Sequence, residues 1–244
     1  MRRIPLLVTL LLSLSGIASA ACPAPFGGDG RAFYYFASPR IGACALEWGP
    51  EERIVAISGA QWDGASHCGE FLRVTGPLGS IVVRVVDRCP ECAANDLDLS
   101  PNAFADIAEP VSGQAAIRWE RIAHPNPGPL AFRFREGSSE FFLSLQVREH
   151  RYGITAMSVF ADGAYRPMQR RDDSYFDYAQ TRGPGPVQIR VTASTGEVLE
   201  QTLPLLNGDV AVGQGQFAPC SDAQFRDGFE TPVALRAAQA NVAL

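Results

Sequence analysis

The sequence predicts an all-β protein built in two halves. Three observations carry this. Short runs rich in β-branched and aromatic residues recur along the chain, separated by turn signals such as Gly76-Pro77-Leu78-Gly79. Only one segment has a convincing helical start. Between the halves, Ala123-His124-Pro125-Asn126-Pro127-Gly128-Pro129 places three prolines and a glycine in seven residues, which makes a short, stiff, hydrogen-bond-poor link.

The first half, residues 21–124, reads as strands at Arg31–Phe36, Glu52–Ile57, Phe71–Val74, Ile81–Val86 and Ala116–Arg121. Asp29 precedes the first of these runs. Asp87 closes the run Ile81–Val86. The helix follows Asp98: Ser100 is its N-cap candidate, Pro101 sits at the first helical position, and Phe104, Ile107 and Ala108 give an apolar face. Both aspartates therefore stand at strand ends, where a rigid scaffold places side chains for function.

After the linker at 125–129, residues 130–220 read as strands at Ala131–Arg135, Phe141–Val147, Ala156–Phe160, Val187–Thr192 and Leu199–Leu203. A set of this kind over roughly 90 residues suits a small β-sandwich. Alternation along Phe141–Val147 assigns Phe141, Leu143, Leu145 and Val147 to the core. Phe142, Ser144, Gln146 and Arg148 fall on the opposite, polar face. An exposed aromatic among polar neighbours asks for a ligand.

The chain opens with MRRIPLLVTLLLSLSGIASAAC. A basic start, an apolar run too short to span a bilayer and small residues at Ala18-Ser19-Ala20 read as a cleaved secretory signal over 1–20. The product is expected to be soluble and extracellular, and the segment 221–244 a flexible tail. All six cysteines lie after the signal, and an even count in an oxidising compartment favours disulfides. Cys89 and Cys92 could hold a metal, run redox chemistry or staple a loop. A zinc site needs a second close Cys or His pair, and His67, His124 and His150 are scattered. A local staple is the expectation. Cys22 and Cys220 bracket the two halves, so a bridge between them would tie the ends together. That pairing rests on elimination once the other four, Cys44, Cys68, Cys89 and Cys92, are assigned, and the sequence leaves the full connectivity open.

Without Arg2 and Arg3 the chain holds 19 basic against 26 acidic residues, a formal charge of −7. Nucleic acid and anionic membranes both want a basic patch, so neither is expected as a partner. A monomer acting on a neutral partner is expected, and no cofactor is implied.

Four segments, GACALEW, HCGEFLRV, VVDRCPECAANDLDLSPNAF and REGSSEFFLSLQVREHRYGI, resemble in order the signature segments of microbial expansins. The resemblance runs from about Gly30 to Phe217. It implies a six-stranded double-psi β-barrel followed by an immunoglobulin-like β-sandwich of the expansin carbohydrate-binding type. It also implies wall loosening without hydrolysis, on cellulose or a related β-glucan. The family's essential aspartate falls on Asp98 and a supporting one on Asp87. Its aromatic platform falls on Phe141 and Phe142, where the family often has tryptophan. The third platform position aligns with Asp173, and nearby Tyr175 is the expected substitute. Threonines near the family's first strand are replaced by Phe33-Tyr34-Tyr35-Phe36, and Tyr35 is expected to recover a sugar contact. A family tyrosine two residues after the first aspartate is replaced by Cys89.

Glycoside hydrolysis normally needs two carboxyl groups on opposite sides of the scissile bond. The barrel is similar to that of an endoglucanase family whose acid occupies the position of Asp98 and whose base comes from the barrel's start. Asp29 is the only acid there, and its place outside the strand argues against its reaching the bond. The runner-up reading is an enzyme, a weak endoglucanase or a peptidoglycan lytic transglycosylase using Asp98 as acid. The remaining possibility for Asp98 is a local role at the helix start. Asp96 reads as solvated.

Overall fold

The computed structural model describes residues 22–36 and 41–220, so the signal segment and the tail after Cys220 lie outside the described residues. The first half contributes β1 (Gly27–Tyr34), β2 (Ile54–Ser58), β3 (Phe71–Gly76), β4 (Gly79–Cys89), β5 (Leu97–Leu99), α1 (Pro101–Ile107) and β6 (Ala115–Ile122). These six strands close into a barrel in the order β1-β5-β2-β4-β3-β6, sealed by antiparallel pairing of β6 with β1. Two parallel pairs, β1 with β5 and β2 with β4, cross inside an otherwise antiparallel circuit. This is the six-stranded double-psi barrel. Alternate residues point inward, so Val55, Ile57, Leu72, Val83, Leu97 and Leu99 fill the interior and are fully buried.

The second half contributes β7 (Ala131–Phe134), β8 (Leu143–Arg148), β9 (Ile154–Ala161), β10 (Ala164–Pro167), β11 (Gln169–Arg170), β12 (Phe176–Tyr178), β13 (Val187–Ala193), β14 (Val198–Leu203) and β15 (Val210–Val212). They form a four-stranded sheet, β10-β9-β13-β14, and a five-stranded sheet, β11-β12-β8-β7-β15. The inner faces meet over one core that includes Phe132, Phe134, Leu145, Val159, Ile189 and Val191. The arrangement is an immunoglobulin-like sandwich.

Several elements differ from the sequence reading. Strand β1 starts earlier than Arg31, so Asp29 lies within it and not before it. Strand β4 runs on through Cys89, so Asp87 sits inside a strand and not at its end. Strand β8 begins only at Leu143, which leaves Phe141 and Phe142 in the preceding turn. The short strands β5, β10, β11, β12 and β15 carry too few residues for alternation to show, and their partners define them. Ser100 occupies the N-cap position of α1, but its Oγ accepts the Ile54 amide of β2 at 3.2 Å instead of capping the helix.

The polar face of β8 is the largest departure. Ser144 and Gln146 are 0 % and 1 % exposed: Ser144 is held within the sandwich, its Oγ donating to Asp177 Oδ1 at 2.6 Å, while Gln146 packs on the barrel. Gln146 Nε2 donates to the Cys44 carbonyl at 2.7 Å, and Arg148 Nη2 donates to the Ala45 carbonyl at 3.2 Å. Buried amides and guanidinium groups must be paired, and the barrel's backbone supplies the partners. The proline-rich seam is also less hydrogen-bond-poor than its composition suggests: His124 N donates to Arg151 O at 3.0 Å, and Gly128 O accepts from Gln216.

All six cysteines are paired, as Cys22–Cys220, Cys44–Cys68 and Cys89–Cys92.

Candidate functional site

Strand β5 is three residues long and sits between β1 and β2. Leu97 and Leu99 point inward and are fully buried, so the pleat turns Asp98 outward between them. Asp98 stands opposite Phe33 on β1 and opposite Ala56 on β2. The loop before it is fixed by Asn95, whose amide donates to Gln61 Oε1 at 2.8 Å and whose carbonyl accepts Trp119 Nε1 at 2.9 Å. Gly30 on β1 makes room for that loop, since a Cβ there would lie 2.0 Å from the Asn95 carbonyl oxygen.

Asp87 reaches the same region through a β-bulge. Val55 pairs with Val85, yet Ala56 pairs with Asp87, so Val86 is the extra residue on β4. Val85 and Val86 are consequently both buried, and Asp87 emerges on the side of Asp98. Its Oδ1 accepts the Ala43 and Arg88 amides at 2.7 and 2.8 Å. Its Oδ2 accepts the Tyr35 hydroxyl at 3.3 Å.

Asp98 is half-buried, and its Oδ1 is buried without a hydrogen-bond partner among the described residues. Burial, then the charges of Asp87 and Glu91, push its carboxyl up to about 6. A carboxyl so placed is substantially protonated in mildly acidic water and can donate a hydrogen bond or a proton. Burial, followed by the Asp87 carboxylate, pushes the Tyr35 phenol well above its ordinary value, so it stays a donor.

An open cleft fronts Asp98, lined among others by Arg31, Phe33, Tyr34, Glu91 and Asp96. The Arg31 guanidinium lies 5.2 Å from the centre of the Phe33 ring. Asp96 holds Arg31 with both oxygens, accepting its backbone amide and its Nη2 at 2.8 Å each. Asp96 is 4 % exposed, which corrects its reading as a solvated residue. Asp29 is on the strand yet outside the cleft: it is highly exposed and pairs with Arg118 at 3.3 Å. Alternation from buried Ala32 turns Arg31, Phe33 and Tyr35 to one side; Phe33 lines the cleft, whereas Tyr35, the expected sugar contact, bonds to Asp87.

On the sandwich, Phe141 is 64 % exposed and Phe142 is half-buried, the reverse of the alternation argument. The Ser139 hydroxyl accepts both their amides at 3.3 Å and shapes the turn that presents them. Tyr175 departs from the expected exposed ring. It is 6 % exposed, and the Arg135 guanidinium lies 4.0 Å from its ring centre. Asp173, at the aligned position, is engaged by Arg135 and not presented freely.

Comparison with known proteins agrees with this architecture. A family model described as lytic transglycolase matches residues 56–119. The chain is 34 % identical over 183 residues to Expansin-YoaJ of Bacillus subtilis, covering 73 % of this chain and 78 % of that protein. It is 29 % identical over 226 residues to Expansin-like protein 2 of Dictyostelium discoideum, covering 87 % of this chain and 55 % of that protein. A mutant expansin of Clavibacter michiganensis, solved in complex with cellohexaose, is 29 % identical with a TM-score of 0.75. That match covers 80 % of this chain and 100 % of the other.

Proposed function

The chain belongs to the expansin family, and from that premise we propose that it is a secreted, monomeric, non-hydrolytic protein that binds cellulose or a related β-glucan and loosens plant-type cell walls. Asp98 is the working residue of the barrel, with Asp87 as its neighbour. Phe33 supplies a ring on which a sugar stacks, and Phe141, with Phe142 behind it, holds the polymer on the sandwich. The cellohexaose complex of the Clavibacter michiganensis relative supports a glucan as the ligand. Three disulfides that use every cysteine support an oxidising, extracellular compartment.

The observation that carries the non-hydrolytic reading is the placement of Asp29. Cleavage by Asp98 needs a second carboxylate across the sugar, and the acid at the barrel's start is turned away into an ion pair with Arg118. Glu91 shares the cleft, but it sits on the exposed Cys89–Cys92 loop beside Asp98. A lone acid that donates to a bridging or hydroxyl oxygen grips the glucan and weakens its contacts to neighbouring chains without breaking the backbone.

A second reading rests on the raised Asp98 carboxyl and on the lytic transglycolase match over 56–119. A single protonated acid suffices where the sugar's own hydroxyl attacks, so peptidoglycan is the alternative polymer. Purified wild type and Asp98→Ala separate the two in one set of assays. Cellulose pull-down and wall-strip extension without release of reducing ends support loosening. Anhydro-muropeptide release that Asp98→Ala abolishes makes the protein an enzyme.

A further inference from the structure

We infer that Glu70 is a positioning residue whose buried carboxylate docks the sandwich onto the barrel and fixes the angle at which the Asp98 cleft and the Phe141 surface meet one polymer chain. This inference rests on the polysaccharide-binding reading above.

Glu70 stands just before β3 and is 3 % exposed. Its Oε1 accepts Arg121 Nη1 at 3.1 Å from the barrel and the Gly153 amide at 3.0 Å from the sandwich. Its Oε2 lies 2.6 Å from His67 Nδ1. Burial works to raise its pKa, but the His67 hydrogen bond and the Arg121 guanidinium outweigh it and hold the carboxyl below its ordinary range. A buried carboxylate is tolerated only when paired and hydrogen-bonded, and one of its bonds is made by the other domain.

The shapes of the two halves agree with this. A Cβ on Gly153 would lie 2.3 Å from Glu70 Oε1, a distance real side chains do not reach. A Cβ on Gly69 would lie 2.8 Å from Nε2 of buried His150. Each domain thus offers a bare backbone position to a polar side chain of the other. Cys68, between His67 and Gly69, is bridged to Cys44, whose carbonyl accepts Gln146. One run, His67-Cys68-Gly69-Glu70, and its disulfide partner therefore supply much of the barrel's side of the contact.

The cleft and the Phe141 surface lie on different domains, so a long chain gains from both only if their relative angle is held. The second contact is then intramolecular, and avidity is lost when the geometry fails. A short sugar that occupies one half is indifferent to that angle.

The test compares cellotriose with insoluble cellulose for wild type, Gly153→Ala, Glu70→Ala and Glu70→Gln. Gly153→Ala wedges the contact without removing a charge from the barrel, and its backbone is outside the left-handed region. It is expected to keep cellotriose affinity within about twofold and to lose about tenfold or more on cellulose. Its small-angle scattering profile is expected to shift. Glu70→Ala loses the same cellulose affinity, and Glu70→Gln, which still accepts the Gly153 amide, restores most of it. The inference is overturned if Gly153→Ala scatters and binds as wild type does, or if it loses both ligands in parallel. Wild type that binds neither ligand overturns the functional reading instead, and scattering still decides whether the latch sets the angle.

Discussion

Phe33 and Asp98 face each other across the parallel pairing of β1 and β5, which puts an aromatic ring directly beside the acid of the cleft. Arg31, anchored by Asp96, lies over that ring, so its position is set from two sides. The pairing is a product of the barrel's crossing topology, since residues more than sixty apart in sequence become register partners.

Phe33→Leu keeps much of the bulk and removes the ring. An aromatic contact is worth about 1 kcal/mol beyond its area, so cellotriose affinity should fall about fivefold. Tyr35→Phe, which loses only the hydroxyl bonded to Asp87, should change it by less than twofold. Titration calorimetry checks both, and a larger loss for Tyr35→Phe would reverse the assignment.

Asp98 gives a pH-dependent stability. Its folded pKa, about 6, lies above its ordinary 3.8, so the folded state holds the proton more tightly than the unfolded chain does. Ionisation of Asp98 therefore costs stability in full above about pH 6 and nothing below pH 3.8. Asp98→Asn should raise Tm by a few degrees near neutral pH and leave it unchanged in strong acid, as read by calorimetry. An equal gain at both values would refute the titration argument. Cellulose binding by wild type should strengthen as pH falls through about 6, and Asp98→Asn should lose that dependence.

On the sandwich the exposed and buried rings should separate function from stability. Phe141→Ala should weaken cellulose pull-down by about fivefold with Tm unchanged, since the ring is mostly in solvent. Tyr175→Ala should cost about 3 kcal/mol of stability, because it removes a buried ring and the surface on which Arg135 rests. Denaturant melts and pull-downs on the same preparations make the comparison. Tyr175→Ala with native stability and lost binding would return it to the platform.

The three disulfides should rank by the loop each closes. In a chain-entropy account, Cys22–Cys220, 198 apart, contributes about 5 kcal/mol, Cys44–Cys68, 24 apart, about 3.5, and Cys89–Cys92, 3 apart, about 2. Paired Cys→Ser variants should lose Tm in that order. The reverse order would show that native-state contacts around each bridge dominate.

Much of this was legible because it is local. Turn chemistry and β-rich runs marked most of the longer strands, and the proline cluster marked the seam. Asp98 could be singled out because the helix start after Ser100 fixes where the preceding strand must end. What stayed hidden depends on partners distant in sequence. Asp96 looks like one more acid in a loop until β1 brings Arg31 to it. The polar face of β8 looks solvent-facing until the barrel covers Gln146 and Asp177 of β12 takes the Ser144 hydroxyl. Phe141 and Phe142 exchanged roles because alternation was extended two residues past the true start of the strand. The bulge at Val86 leaves no trace in composition, yet it decides the side on which Asp87 emerges.

The chain crosses between its two domains covalently in two places, through residues 123–130 and through the Cys22–Cys220 bond, since Cys22 leads into β1 while Cys220 packs in the sandwich core. A protein that grips a taut polymer with both domains is pulled apart at that junction. With one tether, the strain would fall on the docking contacts, which shear one by one. With two, the halves form a closed ring in which tension is shared between the peptide backbone and the sulfur bond. Under the proposed two-domain grip the bridge would act as a mechanical strut, and reducing it should lower the force at which the domains separate.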